Sequence, residues 1–582
     1  MDAETKFETL SSEFAMFHRD VLNVLLHLIT TPVGLLGFLA LLWHVHPAIL
    51  VVSSGVYIVS LLFVLPRRLW AVTTMVSVLL LLAAWKLQLG MLESLAGIAI
   101  GYIGQELAHR LSGEATFQSG YENRPSWFSQ FLEHTYFLLP LCLDAAHRAR
   151  AGAELLGWFA PKSGLLRGHL NRPDDRRDLA AVGDWVEAQN PPTDATAHWW
   201  SNALEAPMRE TVARIANSAG MLEMFHGRYD RQLFAVAPIH EMNEVYVASK
   251  TRRNSSDAVF YTEHIDGPFM IYPFASVYRC IVAVNENVQI KTSFPMTPTA
   301  VTLTTGDVGG FDFNREIHRI EHNPGAENPG RRITLKLHYC VYPKRLPWYG
   351  RLLANLTTRY DTAARKLFLA TLRPKRLFER LLSRAILLFT KAYRVVAEHV
   401  GGGAIAYLAL LALADKLVAA PVFLYGSSFI HYLLYLAVFY TRENVAFKAF
   451  QRRAMFWKAL AAAQLVYIYL SAGRFDPLSL GLIALGLTLS AAAARVLGME
   501  RTYFAAELGL CAPVALRGFP YNVIRHPMIV GNIVALAGFY ALPEFRAAAP
   551  FLVPLHIAFY LLHLLQEQGV ILRNPRHAQA AP

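Results

Sequence analysis

The sequence divides into three regions according to where its long apolar segments lie. Such segments fill most of the chain before residue 146, are missing from about 150 to 345, and return from about 403 onward. Because a helix needs about 20 apolar residues to cross the hydrocarbon core of a bilayer, the two outer regions predict membrane helices. The predicted helices lie near residues 21–44, 48–65, 69–87, 91–110 and 131–146, and then near 404–425, 428–441, 455–472, 478–497, 528–543 and 549–566.

The middle region has a different pattern, in which polar and apolar residues alternate over short runs between turns rich in Pro, Gly and Asp. Alternation with a period of two is typical of strands that bury one face. The region therefore predicts an antiparallel β-sandwich or barrel that is preceded by helices. Its clearest strand-like runs are Glu244–Ser249, Val277–Val284, Ala300–Thr304 and Arg332–Val341.

These patterns together predict a multidomain integral membrane protein, in which two α-helical transmembrane bundles flank a β-rich domain. The expected domains are a helical membrane domain over 1–150, a soluble domain over 151–345, a linker over 346–400 and a second helical membrane domain over 401–582. The linker is basic and amphipathic, so it is predicted to lie on the membrane surface. Its basic residues beside Leu and Phe are Arg373, Lys375, Arg376, Arg380 and Arg384.

Composition agrees with a membrane protein, since 54% of the 582 residues are hydrophobic and only 17% are charged. The net charge of +12 comes largely from basic residues beside the apolar segments, among them Arg67, Arg68, Arg452 and Arg453. Under the positive-inside rule such residues mark cytoplasmic loops, so the soluble domain and its sites are expected to face the cytoplasm. The expected partners are the lipid bilayer and a membrane lipid substrate, and not nucleic acid.

One set of residues in the middle region has the composition of a metal site. His264 and Asp266 are one residue apart on a strand-like stretch, so their side chains point to one face, and His318 follows downstream. Two histidines and one carboxylate form a facial triad for non-haem Fe(II), which leaves positions open for O₂ and a co-substrate. Arg332 and Thr334 begin an alternating run, where an Arg is suited to holding a carboxylate through two hydrogen bonds.

The sequence leaves two other interpretations of these residues open. In one of them, His264 and Asp266 form a surface pair at the end of a strand, and His318 caps a loop. In the other, His322 or His338 takes the place of His318 as a ligand. His318 is preferred because His338 follows the candidate anchor Arg332, and because His322 leaves a shorter spacing to that residue.

The order His264-x-Asp266, His318, Arg332 resembles the motif of the Fe(II)/2-oxoglutarate-dependent dioxygenases, whose fold is a double-stranded β-helix. The resemblance implies that the two histidines and the aspartate bind Fe(II). It also implies that Arg332 and Thr334 bind the carboxylate of 2-oxoglutarate. The reaction implied is the oxidation, usually the hydroxylation, of an unactivated C–H bond.

Polar residues inside apolar segments are costly in a bilayer and therefore indicate function. His18, Asn23 and His27 surround the start of the first predicted helix, and Gln105 and His109 end the fourth. With Glu114 and Pro125 after them, these residues resemble the fungal 2-hydroxy fatty acid dioxygenase family, Fe(II)-dependent membrane enzymes of fatty-acid α-oxidation. The resemblance implies a second metal site at His18, His27 and His109. The alternative is that these histidines bind lipid headgroups or pair with one another.

The loop between the predicted helices 478–497 and 528–543 contains Gly-Phe-Pro-Tyr-Asn over 518–522 and Arg-His-Pro-Met-x-x-Gly over 525–531. Gly and Pro at a helix start allow the backbone to approach a ligand closely. These motifs resemble the phosphatidylethanolamine N-methyltransferase family and, more loosely, the isoprenylcysteine carboxyl methyltransferases. The family has an acidic pair where this chain has Glu567 and Gln568. The resemblance implies catalytic roles for Arg525, His526 and Glu567, and S-adenosylmethionine binding by Gly518, Pro520, Asn522, Pro527, Gly531 and Glu567.

We therefore expect a multifunctional lipid-modifying enzyme that combines Fe(II)/2-oxoglutarate-dependent oxidation with S-adenosylmethionine-dependent methylation of a lipid. One alternative is that only the methyltransferase-like bundle is active and the other domains are not catalytic. Another is a lipid-binding membrane scaffold without catalysis.

Overall fold

The computed structural model describes residues 3–123, 125–149, 156–191, 196–248, 262–268, 272, 274–323, 331–371, 376–417, 421–441, 445–514 and 516–567. Arg373, Lys375 and Gln568, which the sequence interpretation used, lie outside the described residues. The chain forms two compact units, one of Met1–Leu156 with Leu565–Pro582 and one of Gly157–Leu564. The β-rich region and most of the second helical region therefore share one unit.

The first unit is helical over the segments that the apolar pattern predicts. Two of its helices approach so closely that side chains are excluded between them. A Cβ on Gly37 would lie 2.5 Å from the Ser94 carbonyl oxygen, and one on Gly101 would lie 2.5 Å from the Cα of Gly34. Small residues are typical of such membrane helix pairs. The helices are Ala3–Met16, Val21–Val45, Pro47–Leu62, Arg67–Leu87, Met91–Ser112 and Trp127–Arg148, with a 3-10 turn at Phe117–Gly120.

The middle region is an antiparallel β-rich domain, as the alternating pattern predicts. Its larger sheet has the strand order β1-β8-β5-β10-β4-β2, with β3 also pairing with β10, and its smaller sheet has the order β7-β6-β9. The strands are β1 Leu166–His169, β2 Ala197–Trp200, β3 Phe234–Pro238, β4 Glu244–Ala248, β5 Ser276–Ala283, β6 Asn287–Phe294, β7 Thr299–Leu303, β8 Asp307–Asp312, β9 Arg319–His322 and β10 Arg332–Pro343.

Strand β10 separates the hydrophobic core of this domain from its polar interior. Alternate residues from Ile333 to Val341 belong to the core, where they pack with residues of three helices. Arg332, Thr334 and Lys336, which alternate with these core residues, line a cavity on the opposite side of the sheet. The core-facing helices are Pro173–Ala188, Ala206–Ala216 and Ala219–His226, and 3-10 turns lie at Ser201–Ala203 and His240–Met242.

The described residues after the β-rich domain are mainly helical. Every residue of the helix Ile430–Thr441 except Leu433 is buried, as expected for a helix at the centre of a bundle. The helices are Pro347–Thr371 and Leu377–His399 in the linker, then Gly402–Leu417, Val422–Ser428, Ile430–Thr441, Phe447–Ser471, Pro477–Leu497, Met499–Thr502, Pro527–Ala541, Pro543–Ala548 and Leu552–Glu567.

Four helices of the described chain are long and apolar enough to cross a membrane, and six spans result if each of two bent helix pairs counts as one. The bent pairs are Leu377–His399 with Gly402–Lys416, at 79°, and Val422–Ser428 with Ile430–Thr441, at 45°. The four single helices are Val21–Val45, Arg67–Leu87, Phe447–Ser471 and Pro477–Leu497.

Candidate functional site

Two imidazoles and a carboxylate meet between the two sheets of the β-rich domain. The backbones of His264 and His318 form an isolated antiparallel bridge, in which each N–H donates to the carbonyl of the other residue at 3.0 Å. Asp266 Oδ1 lies 3.6 Å from His264 Nε2, and its Oδ2 lies 3.4 Å from His318 Nε2. All three side chains are buried, so the interpretation as a surface pair is wrong.

Backbone carbonyls orient both rings so that their Nε2 atoms face the carboxylate. His264 Nδ1 lies 2.8 Å from the Thr262 carbonyl oxygen, and His318 Nδ1 lies 3.2 Å from that of Glu316. A carbonyl only accepts hydrogen bonds, so each Nδ1 carries the proton and each Nε2 has its lone pair available. Burial lowers the pKa of His318 to about 4, which keeps this ring neutral at pH 7.

The three ligand atoms lie within 4.8 Å of one another, close enough to hold one metal ion. Neutral imidazole nitrogens with one carboxylate are the donor set that non-haem Fe(II) accepts. The residues present therefore fit Fe(II).

Arg279 compensates the buried charge of Asp266. Its Nη1 lies 2.8 Å from Asp266 Oδ2, and its Nε donates to His338 Nε2 at 2.9 Å. Burial alone would raise the pKa of Asp266, but the charge of Arg279 outweighs it and holds this pKa well below its usual range. His338 is thus a partner of Arg279, which favours His318 over His338 as the metal ligand.

The linker helix Pro347–Thr371 closes the polar side of this site. Its Asp361 lies 3.8 Å from Arg279 Nη2 and accepts a closer contact, at 2.6 Å, from Arg365 Nε one turn along. Arg365 also donates to the Met242 carbonyl at 2.7 Å. The network of charged side chains around Asp266 therefore includes residues of the helix Pro347–Thr371. This helix belongs to the linker that was predicted to lie on the membrane surface.

A cavity with an empty volume of about 440 Å³ opens beside the triad. Arg332, Thr334 and Lys336 line it from one face of β10, so the structure brings the predicted carboxylate anchor and the predicted metal ligands to the same cavity. Lys336, which sequence reasoning missed, lies 3.3 Å from Glu244 Oε2 and 3.9 Å from the centre of the Tyr246 ring. Its positive charge is matched by Glu244 within the cavity wall.

An ion-pair chain connects the segments that carry His264 and His318 to two helices. Glu263, next to His264, pairs with Arg319, next to His318, at 3.1 Å and also with Arg394 of the helix Leu377–His399. Arg394 lies 3.6 Å from Glu398, which in turn pairs with Arg452 of the helix Phe447–Ser471. We call the residues Glu263, Arg394, Glu398 and Arg452 the bridging chain.

Apolar contacts follow the same path. Ile265 and Ile317, each next to a metal ligand, pack in one cluster with Ala397 of the helix Leu377–His399 and Ala449 of the helix Phe447–Ser471. The Tyr393 hydroxyl donates to the Gly267 carbonyl at 3.4 Å. The backbone on both sides of the triad therefore rests on these two helices.

A second group of histidines lies in the first unit. His18, His27 and His109 are buried, with ring centres 4.6 to 4.9 Å apart, and their ligand atoms lie within 4.8 Å of one another. His18 Nδ1 and His27 Nδ1 each lie 2.9 Å from a backbone carbonyl, which leaves both Nε2 atoms facing the group. The set of three imidazoles fits a divalent transition metal.

Neighbouring polar residues hold this group in place. Asn23 Nδ2 lies 3.3 Å from His109 Nδ1 and donates to Glu114 Oε2 at 2.8 Å. A cavity of about 410 Å³ empty volume adjoins the rings, and His134 lines it as well. His134 lies 3.0 Å from the Tyr121 hydroxyl.

The predicted methyl-donor residues lie in and around an exposed loop. Gly518, Asn522 and Arg525 are exposed, His526 is half-buried, and Pro520 and Pro527 are buried, with Pro527 opening the helix Pro527–Ala541. Glu567 ends the helix Leu552–Glu567.

Gly531 has a packing role that the sequence interpretation did not include. A Cβ there would lie 2.5 Å from Ser490 Oγ and 2.7 Å from the Gly486 carbonyl oxygen. The absence of a side chain at 531 thus allows close contact with the helix Pro477–Leu497. Its role in binding the methyl donor stays a prediction.

Comparison with known proteins assigns a family to the C-terminal part. Residues 477–573 match the model of the PEMT family, described as phospholipid methyltransferase. This range contains every residue predicted for the methyl-donor site. The C-terminal part therefore matches a phospholipid methyltransferase domain, and four helices of the described chain are long and apolar enough to cross a membrane. No curated protein matches the chain.

AviO1 and a viral collagen prolyl hydroxylase are among the solved structures that resemble part of the chain. One is AviO1 from Streptomyces viridochromogenes Tue57, with 14% identity and a TM-score of 0.23, covering 32% of this chain and 93% of that one. The other is the viral collagen prolyl hydroxylase vCPH from Paramecium Bursaria Chlorella virus-1 in its 2OG complex, with 11% identity and a TM-score of 0.21, covering 31% of this chain and 96% of that one.

Replacing Arg394 by Gln should weaken metal binding at the central triad, because Glu263 loses the partner that ties the His264 segment to the linker helix. Loss of such a supporting residue typically lowers metal affinity by roughly 10- to 100-fold. Fe(II) titration of the purified protein measures the change, and Arg394→Lys should restore part of the affinity. Arg380→Gln, an exposed change on the same helix, is the control. Equal affinity in all variants would show that the bridging chain does not support the site.

Proposed function

We propose that the protein is a multifunctional membrane enzyme that oxidises a lipid with Fe(II), O₂ and 2-oxoglutarate and methylates a lipid with S-adenosylmethionine. The observation that carries the proposal is the buried triad of His264, Asp266 and His318 beside a cavity lined by Arg332. Bound Fe(II) would supply O₂ activation for the oxidation of a C–H bond, with 2-oxoglutarate as the co-substrate.

In this proposal the residues of the chain bind, orient and exclude water. Arg332 holds the far carboxylate of 2-oxoglutarate through its planar guanidinium. Thr334, whose hydroxyl donates to the Tyr246 carbonyl at 3.3 Å, shapes the cavity beside it. Arg279 keeps the Asp266 carboxylate ionised and oriented. Phe311, with its ring centre 4.4 Å from that of His318, shields this side of the site from water.

The β-rich domain would then be of the double-stranded β-helix type, with its two antiparallel sheets enclosing the site. Two features support this assignment. The triad and the Arg332 side chain share one cavity, and Ile281 of the larger sheet and Thr292 of the smaller one both line it.

For methyl transfer, the family match to residues 477–573 supports S-adenosylmethionine as the donor. The proposed donor site is Gly518, Pro520, Asn522, Pro527, Gly531 and Glu567, and catalysis is by positioning and electrostatics. Arg525, His526 and Glu567 orient the donor and the lipid acceptor, which carries an amine or a carboxylate.

The β-rich domain and the donor loop face the cytoplasm in this proposal, and the helix Leu377–His399 lies on the membrane surface. Leu377, Phe378, Leu388 and Phe389 of this helix are between 68% and 74% exposed, next to basic residues such as Arg380. An exposed apolar face beside basic side chains favours the surface of an anionic bilayer.

The histidine group of the first unit supports a second metal site. His18, His27 and His109 would bind Fe(II) there for oxidation of a 2-hydroxylated acyl chain, as the resemblance of this region implies. The cavity beside the rings provides room for a substrate group.

The proposed oxidation is tested by comparing the lipids of cells that express the wild type with those of cells that express His264→Ala. We expect a lipid that gains an oxygen atom only with wild type, because the variant lacks one of the three metal ligands. Mass spectrometry of total lipids measures this gain, and His169→Ala, an exposed histidine of the same domain, should behave as wild type. If the lipids from wild type, His264→Ala and His169→Ala all gain a methyl group and none gains oxygen, the methyltransferase is the single active centre.

Arg332→Ala should abolish 2-oxoglutarate binding while Fe(II) binding stays within about twofold, because Arg332 holds the co-substrate and not the metal. Equilibrium binding of both ligands to the purified protein measures this difference. Lys336→Met is the comparison, since Lys336 lines the same cavity but is already paired with Glu244. If Lys336→Met loses 2-oxoglutarate binding and Arg332→Ala does not, Lys336 and not Arg332 holds the carboxylate.

The number of bound iron ions separates the two metal sites. We expect two Fe(II) per wild-type chain, one in His18→Ala, one in His264→Ala and none in the double variant, because each change removes one of three ligands. Metal analysis after anaerobic loading and desalting gives the count. If His18→Ala binds as many iron ions as wild type, the first unit has no metal site and its buried histidines pair with one another.

A further inference from the structure

A further cavity in the Gly157–Leu564 unit lies where the β-rich domain meets the second bundle. Its empty volume is about 510 Å³. The segment from Trp158 to Lys162, the residues Arg315 to Ile317 and the starts of the helices Gly402–Leu417 and Phe447–Ser471 line it. None of the residues assigned above to metal, 2-oxoglutarate or methyl-donor binding is among them.

Positive charge predominates in this cavity. Three of its lining residues are cationic, Lys162, Arg315 and Arg453, and one is acidic, Glu316. Glu316 Oε2 accepts a hydrogen bond from the Gly164 N–H at 2.9 Å, and its Oε1 lies 3.4 Å from the Thr297 hydroxyl. The one carboxylate is thus held by donors of its own domain.

The two arginines approach the cavity from opposite sides. Arg315 comes from the β-rich domain, where its Nε lies 3.6 Å from Asp312 Oδ2. Arg453 comes from the bundle and donates through Nε and Nη2 to the Ala397 carbonyl, at 3.3 and 2.9 Å. The Ala397 carbonyl positions this guanidinium, and Glu316 in the same cavity interacts with it electrostatically.

The backbone at the cavity is shaped around Arg453. Gly401 has a φ of +83°, and a Cβ on it would lie 3.1 Å from both Cδ and Nε of Arg453. A side chain at 401 would therefore press on the guanidinium. Gly402 and Ala446 line the cavity where their helices begin, and helix starts add partial positive charge.

We infer that this cavity binds a phosphate group, and that the phosphate belongs to a membrane phospholipid. Arg and Lys together are the side chains that bind phosphate oxygens best, by a planar fork and by a point charge. Arg453 lies near the start of Phe447–Ser471, a helix long and apolar enough to span the bilayer, and lipid headgroups lie at the ends of such spans. The site would seat a lipid at the junction of the two domains.

Thermal unfolding of the purified full chain in a non-ionic detergent tests the inference, with three probes added separately. The probes are inorganic phosphate, a short-chain phosphatidic acid and the diacylglycerol with the same chains. Phosphatidic acid should raise the unfolding temperature of the wild type, and diacylglycerol should not. Arg453→Gln and Arg315→Gln should require roughly tenfold more phosphatidic acid for the same rise, because each removes a charge-assisted hydrogen bond.

Lys448→Gln removes a charge from an exposed position on the same helix as Arg453 and should respond as wild type does. Arg453→Lys keeps the charge and replaces Arg453→Gln if that variant does not fold. An equal effect of inorganic phosphate would identify a soluble phosphate compound as the ligand and overturn the lipid assignment. The same response in wild type, both arginine variants and Lys448→Gln, or a response to diacylglycerol, would overturn the site. Neither Fe(II) nor 2-oxoglutarate is present, so the outcome is independent of the proposed oxidation.

Discussion

A carboxylate removed from water needs a positive charge beside it, and Asp266 imposes this requirement on the central site. Arg279 meets it at 2.8 Å and is itself held by His338 and Asp361. Because Asp361 lies on the helix Pro347–Thr371, a helix outside the sheets becomes part of the charge network around the triad. Truncating that helix would leave Arg279 less constrained and Asp266 less firmly oriented.

The bridging chain shows how two domains of different chemistry form one unit. Glu263, next to His264, is connected to Arg452 of a bundle helix through two residues of the helix Leu377–His399. Partly exposed ion pairs contribute little stability singly. Their value here lies in alignment, since they and the apolar cluster around Ile265 hold the triad at a defined place on the bundle.

Much of the fold followed from the sequence, because helices and half-buried strands have periods that can be recognised locally. The strands β4, β5, β7 and β10 lie where alternation predicts them, and the triad was visible from its spacing. The partners of the triad were not. Arg279 reaches His338 only because β5 and β10 pair in one register, and Arg394 is far from Glu263 in sequence. Gly531 was predicted to bind the methyl donor, and the structure shows that it packs between two helices. A sequence does not distinguish a glycine beside a ligand from a glycine between helices.

In the proposed metal site, the backbone bridge between His264 and His318 has a consequence for how metal would be bound. Two main-chain hydrogen bonds hold these two segments together, and backbone carbonyls already orient both rings. The ligands are therefore assembled by the fold, unlike in small domains that fold only around their ion. A chelator is therefore expected to remove metal from the proposed centre without unfolding the chain around it.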